Sequence, residues 1–167
     1  AAGSMIMGAK RGRDAIYVWT DTALFLMQFV GQPFTFSFQQ VGTNCGLFGK
    51  NACIEVDGSS YWMSENGFFT YDGQLKSMPC LVEDYVYDSI NDTSRDLINC
   101  GLNNLFGEIN WSYCSGASDV IDRVVTYNYL DSSAERPIWT TARMNTVSGK
   151  KVGVPRSAWQ DSAVFNK

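Results

Sequence analysis

Four carboxylates, Asp57, Asp72, Glu83 and Asp84, are the side chains of this sequence best suited to catalysis. Glycoside hydrolysis needs two carboxyls about 5–10 Å apart across a sugar, and these four are the candidates for such a pair. Each also has a structural explanation. Asp57 and Asp72 both precede a glycine, and aspartate tolerates the backbone geometry of tight turns. Glu83 and Asp84 stand where acidic side chains favour the start of a helix. The structural explanation carries more weight at all four, so no catalytic residue is assigned and the chain is expected not to be an enzyme.

The remaining chemistry is narrow. The chain has no histidine, which removes the nucleophile systems whose base is an imidazole and the zinc sites that use one. Neither glycine-rich phosphate-cradling pattern, the P-loop nor the dinucleotide fingerprint, occurs. Five cysteines, Cys45, Cys53, Cys80, Cys100 and Cys114, are odd in number, irregularly spaced and without a C-x-x-C. That pattern fits reduced thiols acting as small apolar side chains better than a disulfide framework or a zinc site, which prefers close ligand pairs. No cofactor and no metal are expected. Aromatics beside polar residues, Tyr61-Trp62 and Tyr127-Asn128-Tyr129, could form a carbohydrate platform. Neighbouring strand residues point to opposite faces, however, so one ring of each group belongs to the core. Trp62 is expected to be buried, and Trp19, Trp111 and Trp139 to pack sheets.

These side chains sit among strong hairpin signals. Residues 52–78 contain Asp57-Gly58, Asn66-Gly67 and Asp72-Gly73, each between short apolar or alternating runs. Tight hairpin turns require positive φ, which Asn-Gly and Asp-Gly supply. The segment therefore predicts a four-stranded antiparallel meander with turns at those three pairs, stopping at Pro79. Such a meander is the size of a propeller blade or of a section of a β-sandwich. Before it, Ala15–Trp19 and Ala23–Val30 read as strands around Thr20-Asp21-Thr22. After Gly31-Gln32-Pro33, Phe34, Phe36 and Phe38 alternate with polar residues as in a half-buried strand, with the phenylalanines in the core or in an interface. Gly42, Gly46 and Gly49 make 43–51 a loop. Beyond Pro79, Val82–Tyr87 predicts a short helix. A second helix is expected from an N-cap at Asp92 or Thr93 to Asn99 or Gly101, burying Leu97, Ile98 and Cys100. Strands follow at Leu105–Cys114, Arg123–Leu130 and Ile138–Thr141, with 115–119 a surface loop.

Composition bounds the function. One domain is expected from 167 residues, and the 14% aromatic content favours strands. Net charge is −4, against the basic excess that phosphate contacts need, so no direct nucleic-acid role is expected. The cluster Lys10, Arg11 and Arg13 reads as a solvated terminal segment. No apolar run approaches the 18 or so residues of a membrane span, and no leader peptide is expected. Residues 1–13 read as a tag remnant and flexible start, with Ala1-Ala2-Gly3-Ser4 before Met5 as a cloning remnant. Residues 14–167 read as a single β-rich domain, truncated where the apolar pattern at Ala158-Trp159 and Ala163–Phe165 stops.

The order of elements resembles that of the tail accessory proteins of short-tailed bacteriophages, the packaged-DNA stabilisation type. The likeness covers about residues 14–142. It is carried by AIYVWTDTALFLMQFVG, by FSFQQVGTNCGLFGKNACIEVDGSSYWMSENGFFTYDGQLKSM, by DYVYDSINDTSRDLINCGLNN, by FGEINWSYC and by RVVTYNYLDSSAERPIWTTA. In that family a strand pair is followed by a Gly-rich loop, a series of hairpins, a helix and closing strands. The resemblance implies a β-propeller-like fold in a virion protein that forms a ring below the portal and its adaptor. Such a ring helps to close the channel after DNA packaging, through protein contacts and without catalytic residues. Family members are several hundred residues long, so this chain would supply some of the blades. The implied partners are portal, adaptor and tail proteins. The implied location is the host cytoplasm during assembly and then the virion.

The expected fold is therefore mainly β, built of antiparallel meanders, partially propeller-like, with one or two short helices. The expected function is structural assembly through protein–protein contacts, including self-association. Phe34, Phe36, Phe38, Tyr61, Tyr127 and Tyr129 are the interface candidates. The chief alternative is a carbohydrate- or small-ligand-binding β module that uses exposed aromatics; a carboxylate glycosidase comes third. An apolar patch or unpaired edge strand favours assembly, an aromatic groove with hydrogen-bonding neighbours favours a ligand module, and a pocket with two acids favours an enzyme.

Overall fold

The hairpin turns show how local sequence sets the ladder. Val56 pairs with Ser59, so Asp57 and Gly58 form a two-residue turn, and both have positive φ, 51° and 82°. This is the twist-matched hairpin turn that Asp-Gly favours. The next turn is displaced by one residue from its expected place. Ser64 pairs with Gly67, so Glu65 and Asn66 make the turn. Positive φ falls on Gly67, at 110°, which opens the following strand. At the third turn Tyr71 pairs with Leu75, leaving Asp72, Gly73 and Gln74 in the loop. Asp72 Oδ1 accepts a hydrogen bond from Gln74 N at 3.2 Å.

The computed structural model describes residues 3, 5–116, 118–133 and 135–144. Among these, twelve strands form three four-stranded antiparallel sheets, each a meander in chain order. The first contains β1 (Ile6–Arg11), β2 (Ile16–Thr20), β3 (Ala23–Phe29) and β4 (Phe36–Thr43). The second contains β5 (Cys53–Val56), β6 (Ser59–Ser64), β7 (Gly67–Tyr71) and β8 (Leu75–Met78). The third contains β9 (Asn99–Asn103), β10 (Glu108–Tyr113), β11 (Arg123–Asn128) and β12 (Trp139–Arg143). The chain falls into two compact units, Ala1–Met78 and Pro79–Lys167. Their junction is the Pro79 at which the hairpin pattern stops.

In the first unit, sheets one and two pack through aromatic rings. Trp19 and Trp62 are fully buried, with ring centroids 5.5 Å apart in an edge-on arrangement. Tyr17 meets Tyr71 at 5.3 Å, also edge-on. The indole N–H of Trp62 donates to the carbonyl of Cys45 at 2.8 Å. That bond ties the connection between β4 and β5 into the core, where Cys45, Leu47 and Phe48 are buried. Cys45 N donates to Thr22 O and Leu47 N to Thr20 O. Between them Gly46 is required, because a Cβ there would run into the backbone of Asp21.

β1 lies within the segment expected to be a flexible start. Its register runs from Ile6 opposite Thr20 to Arg11 opposite Ile16. It is mostly exposed, so it carries little apolar alternation for a sequence pattern to show. Its order comes from backbone pairing along the sheet.

In the second unit, α1 (Glu83–Tyr87) is followed by a 3-10 helix, Asp92–Leu97. Asn91, rather than Asp92 or Thr93, caps the latter by accepting from Thr93 N at 3.0 Å. The helix expected to reach Asn99 or Gly101 ends earlier, because Asn99–Asn103 is β9, with Cys100 opposite Trp111 and Gly101 opposite Asn110. A single short helix has little stability of its own, whereas pairing with β10 satisfies the backbone of 99–103. Ile98 is buried as expected, but Leu97 is exposed. Leu105 and Phe106 are also exposed, in the turn before β10. The core of this unit holds Ile109, Trp111, Tyr113 and Val125. Trp111 stacks on Trp139 at 6.0 Å, and Trp139 Nε1 donates to Pro79 O at 2.8 Å. The apolar residues Ala158-Trp159 and Ala163–Phe165 lie outside the described residues.

Trp62→Ala is expected to destabilise the chain by about 3–5 kcal/mol, the usual cost of deleting a large buried aromatic. Phe38→Ala should change stability by no more than about 0.5 kcal/mol, as at other exposed sites. Urea midpoints of the two variants at low protein concentration check the contrast.

Candidate functional site

Strand β3 is apolar on both faces, and this shapes the surface of the first unit. Directly paired residues in an antiparallel sheet share a face. Tyr17, Trp19 and Leu24 lie on the inner face and are buried. The register places two rows on the other face. One runs Arg11, Ile16, Met27, Phe38 and the next Ala9, Val18, Phe25, Gln40. Phe29 opposite Phe36 adds a third pair, with rings 5.9 Å apart, edge-on. Phe25, Met27 and Val18 are half-buried, while Phe29, Phe36 and Phe38 are 72%, 51% and 64% exposed. Strands with apolar residues on both sides are characteristic of sheets covered on both sides.

Phe34 lies in the connection between β3 and β4 rather than in a strand, and is 74% exposed. That connection contains Gly31 at φ 81° and a cis Gln32-Pro33 bond, and Val30 N donates to Thr35 O at 3.2 Å. Three of the six interface candidates are thus together at one end of the first sheet. Tyr61 lies in the second sheet, half-buried, opposite Ile54 and Thr70. Tyr127 and Tyr129 belong to the second unit and are half-buried, Tyr127 with its ring 4.8 Å from that of Trp139. Phe29 and Val30 complete the exposed apolar end and are absent from the sequence-based candidates. The apolar-rich stretch Ala23–Val30, broken by Gln28 alone and longer than one buried face requires, was their signal.

Beside Phe29 and Phe36 opens a cavity of about 350 Å³ whose lining includes Arg11, Arg13, Asp14, Gln28 and Met27. Strand β1 and its turn bring the basic residues here, so Arg11 and Arg13 border an aromatic wall.

The four carboxylates occupy turns or a helix start. Asp57 is in the β5–β6 turn. Asp72 is in the β7–β8 loop, where a 2.7 Å hydrogen bond and ion pair from Lys76 holds its carboxyl below the usual range. Glu83 and Asp84 form the first turn of α1. Burial, and then the charge of Asp84, raises the Glu83 carboxyl. All five cysteines are free. Among the described residues no group of three or more His, Cys, Asp or Glu is arranged to hold a metal. No family model matches this chain, and no curated protein matches it.

Burial pushes the Cys53 thiol up to about 11 and the Cys80 thiol likewise to about 11. The unfolded chain therefore releases these protons before the folded chain does. Their contribution to stability is complete below the ordinary thiol value near 9 and is lost as pH rises through about 11. Urea midpoints should fall between about pH 9 and about pH 11, and Cys53→Ala should make that fall shallower.

Proposed function

We propose that this chain is a non-enzymatic structural protein, an assembly module of the phage tail or portal-closure type that acts through protein–protein contacts. The observation that carries the reading is the outer face of the first sheet, with Phe29, Phe36 and Phe38 largely exposed beside Ile16, Val18, Phe25 and Met27. Exposed aromatic patches of this kind mark contact surfaces. Three successive four-stranded meanders also suit a propeller-like body, in which each blade is a four-stranded meander and neighbours cover both faces. On this reading the first sheet is a blade covered on one face by the second sheet and awaiting a neighbour on the other. The resemblance in element order supports portal, adaptor and tail proteins as partners, with neither nucleic acid nor membrane contacted directly. Among the described residues no helix is long and apolar enough to cross a membrane.

A second reading, a carbohydrate- or small-ligand-binding module, is favoured by the cavity in which Phe29 and Phe36 stand beside Arg11, Arg13, Asp14 and Gln28. Phe38 does not line that cavity, so it separates the two.

The purified chain should co-sediment with portal–adaptor rings encoded by the same genome. Phe38→Ser should weaken that binding about tenfold or more, as expected for a central aromatic contact. No co-sedimentation, together with saturable glycan binding that Phe38→Ser leaves unchanged, would favour the ligand module instead.

A further inference from the structure

Among the described residues β4 is the longest strand, eight residues, and it lies at the outside of its sheet. Its free edge pairs with no strand among the described residues. The sequence Phe36-Ser37-Phe38-Gln39-Gln40-Val41-Gly42-Thr43 contains no charge and no proline. Outer strands normally carry such guards, because a bare edge templates pairing with another chain. The other outer strands among the described residues are shorter and mostly charged. β1 has Lys10 and Arg11, β5 has four residues with Glu55, β8 has four with Lys76, and β12 ends in Arg143. Uncharged β9 has five residues with Gly101 at its centre.

We propose that β4 pairs antiparallel with β4 of a second copy of this chain, about a two-fold axis at Phe38. The proposal rests on the assembly reading above and names one partner of that surface. A strand without charge offers no handle to a charged partner and meets no like-charge repulsion from its own copy. A two-fold interface needs a self-complementary patch, which an antiparallel strand supplies. The register is set by the bulge. Phe25 pairs with Gln40 but Leu24 with Gly42, so Val41 is the extra residue and the regular ladder is Phe36–Gln40. Centring on that stretch sets Phe38 opposite Phe38 of the second copy, Phe36 opposite Gln40, and Ser37 opposite Gln39. Phe36, Phe38 and Gln40 of both copies then share one face of a continuous sheet, and Ser37 and Gln39 share the other.

Sedimentation equilibrium at tens of micromolar tests this. The wild-type chain should be a dimer. The double variant Phe38→Lys, Gln40→Lys should raise the dimer Kd at least about tenfold while its denaturation midpoint, measured at low concentration, stays unchanged. Directly opposed antiparallel residues have Cα atoms about 4.5–5.5 Å apart, within disulfide reach. Phe38→Cys should therefore give a covalent dimer under mild oxidation, and Leu105→Cys, exposed in the turn before β10, should not. A monomeric wild type overturns the pairing, and so does a dimer that the lysines leave intact. Dimerisation is read without any phage component, so its failure is distinguishable from failure to bind portal–adaptor rings.

Discussion

The contact between Trp19 and Trp62 is the interaction on which the first unit depends. The two indoles come from different four-stranded sheets, neither of which could bury its aromatic face alone. Their edge-on contact at 5.5 Å joins the sheets, and aromatic pairs of this kind contribute about 0.5–1.5 kcal/mol beyond the area they bury. Trp62 has a second role. Its N–H holds the Cys45 carbonyl, so the segment connecting the sheets is drawn inside instead of looping over the surface. Buried indole N–H groups usually find such a partner, and this bond marks where the connection passes.

This arrangement commits one face of the first sheet and leaves the other without a packed sheet among the described residues. Tyr17, Trp19 and Leu24 point inward; the alternate residues of the same strands, Val18, Phe25 and Met27, are apolar as well. A sheet meant to meet water on that side would carry polar residues there. The exposed phenylalanines and the unguarded edge of β4 belong to the same end of the same sheet. The physical case for assembly therefore comes from one region, in which neither face nor edge is covered by the described residues.

Much of the fold was legible because its signals are local. Asp57-Gly58 marks a turn through the positive φ that both residues adopt, and the boundary at Pro79 follows from proline's missing donor. The displaced turn at Glu65-Asn66 shows the limit of dipeptide rules, since Gly67 could take positive φ either inside the turn or just after it. β1 and β9 were less legible for a different reason. Both are ordered by pairing with the next strand of the chain, and neither has an apolar period of its own. At the site, the alternation of Phe36 and Phe38 was visible, but burial depends on what lies opposite. Sequence alone left core and interface open, and Phe29, paired with Phe36 only once the hairpin closes, was missed. Arg11 and Arg13 likewise gained a setting only when β1 joined the sheet.

Hydrogen–deuterium exchange of the β4 backbone amides, followed against protein concentration, tests most directly whether the open side of the first sheet is a contact surface. The outward amides of 36–40 should exchange rapidly in dilute protein and become protected as concentration rises, while those of β6 stay protected throughout. Protection of every β4 amide even at high dilution would mean that the chain covers this edge itself, and would contradict the account.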